Sequence, residues 1–106
     1  MTATSPRWDR LADSLAAAGI TAQVDSRTFT EASHGRVGHG TTHSITIRHP
    51  EGGTVEIEDK WWWRNPDAWL GWEVIRTGAD DIVVGRPSRG SKKRGEVVAH
   101  VLAKMA

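Results

Sequence analysis

Residues 42–63, THSITIRHPEGGTVEIEDKWWW, decide the fold. Ile45 and Ile47 alternate with Ser44, Thr46 and Arg48, and Val55 and Ile57 alternate with Thr54, Glu56 and Glu58, the period of strands with one buried face. Between them Pro50-Glu51-Gly52 fits a three-residue hairpin loop whose glycine takes the left-handed region as a G1 bulge. His49 then faces Gly53, and counting back pairs Ile47 with Val55, Ile45 with Ile57, His43 with Asp59 and Thr41 with Trp61. The apolar residues of both strands share one face. A four-residue loop would set Ile47 against Glu56 and break that agreement.

Outward from this hairpin the chain reads as follows. Ser5-Pro6 offers an N-cap and an N1 proline, and Trp8, Leu11, Ala12, Leu15 and Ala18 recur at helical spacing, which predicts a helix over 6–18 closed by Gly19. Ile20, Ala22 and Val24 then alternate with polar residues, so a first strand is expected over 21–29. Residues 31–40, EASHGRVGHG, lack a period and read as a mobile loop. The second strand spans 42–49 and the third 54–63; a turn at Arg64-Asn65-Pro66-Asp67 leads to a further strand over 69–77. After Asp80-Asp81, Ile82-Val83-Val84 reads as a short last strand. Ser91 is the expected cap of a second helix with the apolar face Val97, Val98, Val101, Leu102 and Met105. With the three-residue strand at 82–84 left out of the count, the expectation is one α+β domain over 1–106, in the order α-β-β-β-β-α. Its four-stranded, mainly antiparallel sheet carries both helices on one face.

A single domain of 106 residues can bury a sufficient core, and with no cysteine it has neither disulfides nor thiolate metal sites. The start, Met1-Thr2-Ala3-Thr4-Ser5-Pro6, lacks the basic and apolar regions of an export signal, so a cytoplasmic location is expected. The longest nearly apolar run, Leu15 to Ile20, is far short of the ~20 residues that span a bilayer.

Net charge is +1 but unevenly placed. Residues 1–63 hold six Lys/Arg against eight Asp/Glu, while residues 64–106 hold eight against five. The excess gathers in Arg86, Arg89, Lys92, Lys93 and Arg94, a stretch without an acid. On the helix expected from Ser91, Lys92, Lys93 and Arg94 occupy the first turn, where the macrodipole disfavours cations. A bound anion would reverse that sign, because free backbone N–H groups and the cations converge on it. These five residues are therefore the candidate nucleic-acid or anion site.

Six of the seven aromatic residues are tryptophan, and five of them, Trp61, Trp62, Trp63, Trp69 and Trp72, fall in twelve residues. Trp8, Trp61, Trp63 and Trp72 are assigned to the core. Trp62 projects from the opposite face of its strand, and Trp69 and Trp72 differ in parity, so Trp62 and Trp69 are the candidate partner surface. His34, His39 and His43 could approach one another with Asp59, but their spacing matches no zinc pattern; solvated loop histidines and a His43–Asp59 cross-strand pair are expected instead. No nucleophile elbow or phosphate loop is present, and Glu56, Glu58 and Asp59 resemble a general-acid set only in number. No enzyme, cofactor or metal site is expected.

Residues 59–74, DKWWWRNPDAWLGWEV, followed by residues 92–98, KKRGEVV, resemble small uncharacterised proteins encoded by phages of actinobacteria. Those proteins have no assigned activity, so the resemblance implies a phage or host-modulating context, that of a phage-type accessory protein, and nothing more. In layout, Ser91-Lys92-Lys93 opening a helix after α-β-β-β is similar to the double-stranded RNA-binding domain, whose second helix sets such lysines on phosphates. The extra strand and the tryptophan strand depart from that domain. The reading is a non-catalytic binding protein for an anionic partner, nucleic acid first. The alternative is an inhibitor or modulator that docks on a host protein through the tryptophan-rich sheet face.

Overall fold

The structure, a computed structural model, describes residues 5–33, 36–62 and 65–106, with side chains described outside 29–40 and 61–68. The order is α1 (Pro6–Ala17), β1 (Val24–Ser33), β2 (Arg36–Arg48), β3 (Thr54–Trp62), β4 (Asn65–Thr77) and α2 (Arg94–Met105). The four strands form an antiparallel sheet in the order β1-β2-β3-β4, so the fold is α+β as expected. Among the described residues no helix is long and apolar enough to cross a membrane.

The hairpin loop sets the register of the central strands. Gly52 donates to the His49 carbonyl (3.0 Å), His49 donates to the Gly53 carbonyl (3.1 Å), and Gly52 and Gly53 both take positive φ, 99° and 76°. Ile47 thus pairs with Val55 and Ile45 with Ile57. These four residues, with Trp72 and Val74 of β4, form the sheet's contribution to the core; α1 adds Trp8, Leu11 and Leu15, and α2 adds Val97 and Val101. At the end of α1, Ile20 donates to Leu15 and Gly19 (φ 86°) to Ala16, a Schellman closure that turns Ile20 back onto the core. Ile57→Ala should lower stability by ~2–5 kcal/mol in denaturant titrations, whereas Glu56→Ala on the other face should change it by less than about 0.5 kcal/mol. Equal losses would mean the faces are assigned wrongly.

Several boundaries differ from the sequence expectation. β1 begins at Val24, although Ala22 already packs on the core. Residues 31–33 and 36–40, read as part of a loop, are strand: the ladder continues through Glu31↔Gly38 to Ser33↔Arg36. These residues carry no apolar alternation, and over them β1 and β2 pair with each other alone. Ile82-Val83-Val84 makes a single bridge, Val83 to Thr77, because Asp81 and Gly85 on either side take positive φ and bend the chain away. On α2 the pair facing the sheet is Val97 and Val101; Val98 is half-buried and Leu102, expected in the core, is exposed.

β2 and β3 pair only from Arg48↔Thr54 to Ser44↔Glu58. β1–β2 runs on to Ser33↔Arg36, and β3–β4 to Trp62↔Asn65. The sheet therefore forks into two ribbons. The radius of gyration, 14.4 Å, exceeds the roughly 13 Å of a compact chain of this length, as projecting ribbons require.

Candidate functional site

The basic segment is tied along the outer edge of β4. Ser88 donates its N–H to the Val74 carbonyl (2.9 Å), and its hydroxyl accepts from Val74 N–H (2.8 Å). Ser91 and Trp72 exchange both backbone bonds, at 2.7 and 3.0 Å. The close approach depends on Gly71, which has φ 113° and lies at a register shift in the β3–β4 ladder; a Cβ there would sit 2.3 Å from the Ser91 carbonyl group. Arg86, Arg89, Lys92, Lys93 and Arg94 are all exposed. Among the described residues Lys60 pairs with Glu73 (3.5 Å), and none of the five cations has a carboxylate partner.

The second helix does not open at Ser91. An N-cap carbonyl must accept the first helical hydrogen bond, and the Ser91 carbonyl already accepts from Trp72. Lys93 takes that place: it is extended (φ −97°, ψ 116°), its carbonyl accepts from Val97 N–H (3.1 Å), and its side chain makes no cap. Ser91 instead accepts from Lys93 N–H (3.1 Å) and donates to Glu96 (2.5 Å). Lys92 and Lys93 thus precede the helix, and Glu96 supplies the acid in its first turn. The macrodipole penalty inferred from sequence falls on Arg94 alone. Arg94 also lines an open groove against α1, with Arg10, Asp13, Ser14 and Ala17.

No family model, curated protein or solved structure matches the chain.

The tryptophans are organised by Asp59. Its two carboxylate oxygens accept from Trp69 Nε1 (2.8 Å) and Trp8 Nε1 (3.3 Å). Trp69 and Trp72 meet edge to face at 5.1 Å, and Trp8 meets Trp72 likewise at 6.2 Å. Parity was expected to separate Trp69 from Trp72. The irregularity around Gly71 shifts the register between Lys60↔Gly71 and Trp61↔Trp69 and brings them together. Trp69, expected on an open surface, is half-buried, with the Arg7 guanidinium 3.6 Å above its ring.

The expected His43–Asp59 pair does not form. Trp8 occupies the crotch of the fork instead, stacked on His43 (centroids 6.1 Å apart) and donating to Asp59. His43 Nε2 and Trp72 Nε1 are buried without a hydrogen-bond partner among the described residues. The side chains of Trp61, Trp62, Trp63, His34 and His39 lie outside the described residues, so the core and partner-surface roles assigned to those tryptophans stay expectations. Among the described residues no three His, Asp or Glu side chains are grouped to hold a metal. On the helix-free face Glu58 stands opposite Glu73, and burial first, then the charges of Glu56 and Glu73, raise its pKa. A raised carboxyl pKa means that the folded chain binds this proton more tightly than the unfolded one. Its contribution therefore favours folding at low pH and is lost as pH rises through the folded pKa.

Proposed function

We propose that the chain is a non-catalytic binding protein for a polyanion, nucleic acid first, engaged through Arg86, Arg89, Lys92, Lys93 and Arg94. The observation that carries this reading is an exposed row of cations without carboxylate partners among the described residues, on a backbone segment that β4 holds in place. A solubilising surface needs no such fixed geometry. Phosphate recognition gains from it, because little ordering entropy remains to be lost on binding. The uncapped start of α2 adds backbone N–H donors beside Arg94.

Binding to single- and double-stranded DNA and RNA oligonucleotides, followed by fluorescence anisotropy, should weaken with salt by roughly 0.7 to 0.9 log units per log unit for each phosphate neutralised. The double change Lys92→Ala and Lys93→Ala should flatten that slope by about one to two units and leave the melting temperature unchanged. Absence of binding to every oligonucleotide at ~50 mM salt sinks the proposal, since electrostatic affinity is greatest there. Capture of a host protein that survives the double lysine change but fails in Trp69→Ala would identify the alternative, docking through the tryptophan-rich face.

A further inference from the structure

The two edges of the sheet are treated differently. Outside β4 the chain returns as residues 82–91, bridging at Val83 and Ser91, and the ladder beneath is irregular beside Gly71. Those devices prevent a second strand from adding there. β1 has none of them. It is ten residues long, contains no proline or lysine, runs in unbroken register from Val24↔Ile45 to Ser33↔Arg36, and among the described residues has no strand on its outer side. Half of its backbone N–H and C=O groups therefore face outward, a template for another strand.

The charges on β1 state which strand. Asp25 and Arg27 are exposed, lie on the helix-free face, and have no ion-pair partner among the described residues; opposite them on β2 stand the neutral Ser44 and Thr42. We propose that β1 pairs antiparallel with β1 of a second copy, about a two-fold axis at Ser26. In that register Asp25 of each copy faces Arg27 of the other, and Val24 faces Thr28. The two opposite-charge pairs favour this alignment, while a shift that centres the axis on Arg27 would oppose like charges and is disfavoured. Five residues from each chain bury less than the roughly 1,200 Å² of a stable interface, so the dimer is weak and concentration-dependent. The inference does not rest on the basic edge, which lies at the opposite side of the sheet.

The test uses sedimentation equilibrium of the full chain from about 5 to 500 µM. Wild type should show a reversible monomer–dimer equilibrium. Asp25→Arg alone and Arg27→Asp alone should each weaken dimerisation at least about ten-fold, because each places like charges opposite one another twice. An equimolar mixture of the two variants should dimerise again: the introduced arginine of one chain then faces the introduced aspartate of the other, and the native Arg27 faces the native Asp25. Circular dichroism should show both variants folded, since neither residue has a charge partner to lose among the described residues. Wild type that stays monomeric throughout overturns the proposal. So does a dimer indifferent to both single changes, or a mixture that stays monomeric.

Discussion

Trp8→Ala is expected to lower stability by ~3–5 kcal/mol, the largest single loss among the core positions. Trp8 is 1 % exposed and does three things at once. Its ring fills the space between α1 and the sheet, touching Trp72 and His43; its indole N–H satisfies one oxygen of Asp59; and it sits where β2 and β3 part. Removal leaves a cavity the size of an indole and takes a donor from a half-buried carboxylate, which among the described residues Trp69 alone then satisfies. Trp8→Phe separates the contributions, since it restores most of the apolar volume but not the N–H. It should recover part of the loss and leave a deficit of about 1.5–3 kcal/mol, as for a hydrogen bond to a charged group. Guanidinium titration of the three proteins decides it. A cost below about 1 kcal/mol for alanine would show that Trp8 does not plug the fork.

Gly71→Ala should be nearly as costly, about 3 kcal/mol, for a different reason. At φ 113° a side chain strains the backbone, and the added Cβ would lie 2.3 Å from main-chain atoms of Ser91 and 2.8 Å from Lys92 N. Backbone cannot yield as a flexible side chain can. The segment must lift from β4, breaking the bonds between Trp72 and Ser91. Hydrogen exchange should therefore quicken at the Trp72 and Ser91 amides more than at Ile45 or Ile57. Oligonucleotide affinity should also fall although no cation has been removed. Gly95→Ala is the control: its Cβ meets nothing within 4 Å, and alanine suits a first helical turn, so stability should hold or rise by up to about 1 kcal/mol. Protection at Ser91 unchanged in Gly71→Ala would show that the edge does not depend on this glycine.

Much of the frame was legible because its signals are local. Pro50-Glu51-Gly52 dictates a loop length, and the loop length dictates that Ile45 meets Ile57. Ser5-Pro6 and Gly19 bracket α1 through backbone preferences that no distant residue needs to endorse. The five cations of the candidate site were equally visible, since a run without acids can be counted. Their setting was not. Ser91 looks like a helix cap until its carbonyl is known to bond Trp72, nineteen positions earlier in the chain, and then the helix must start at Lys93. The strand residues before Thr41 were missed because residues 31–40 carry no apolar alternation, and their pairing across the β1–β2 ladder is set by backbone alone.

The sequence by itself determined the order of elements, the paired faces of β2 and β3, and the basic run from Arg86 to Arg94. The tertiary structure alone decided that Trp69 and Trp72 stand together, that Asp59 serves two indoles rather than His43, and that β1 is the bare edge. Periodicity records which side of its own backbone a residue occupies. The irregularity at Gly71 changes that side, and what fits against Gly71 is Ser91, which only the fold brings there.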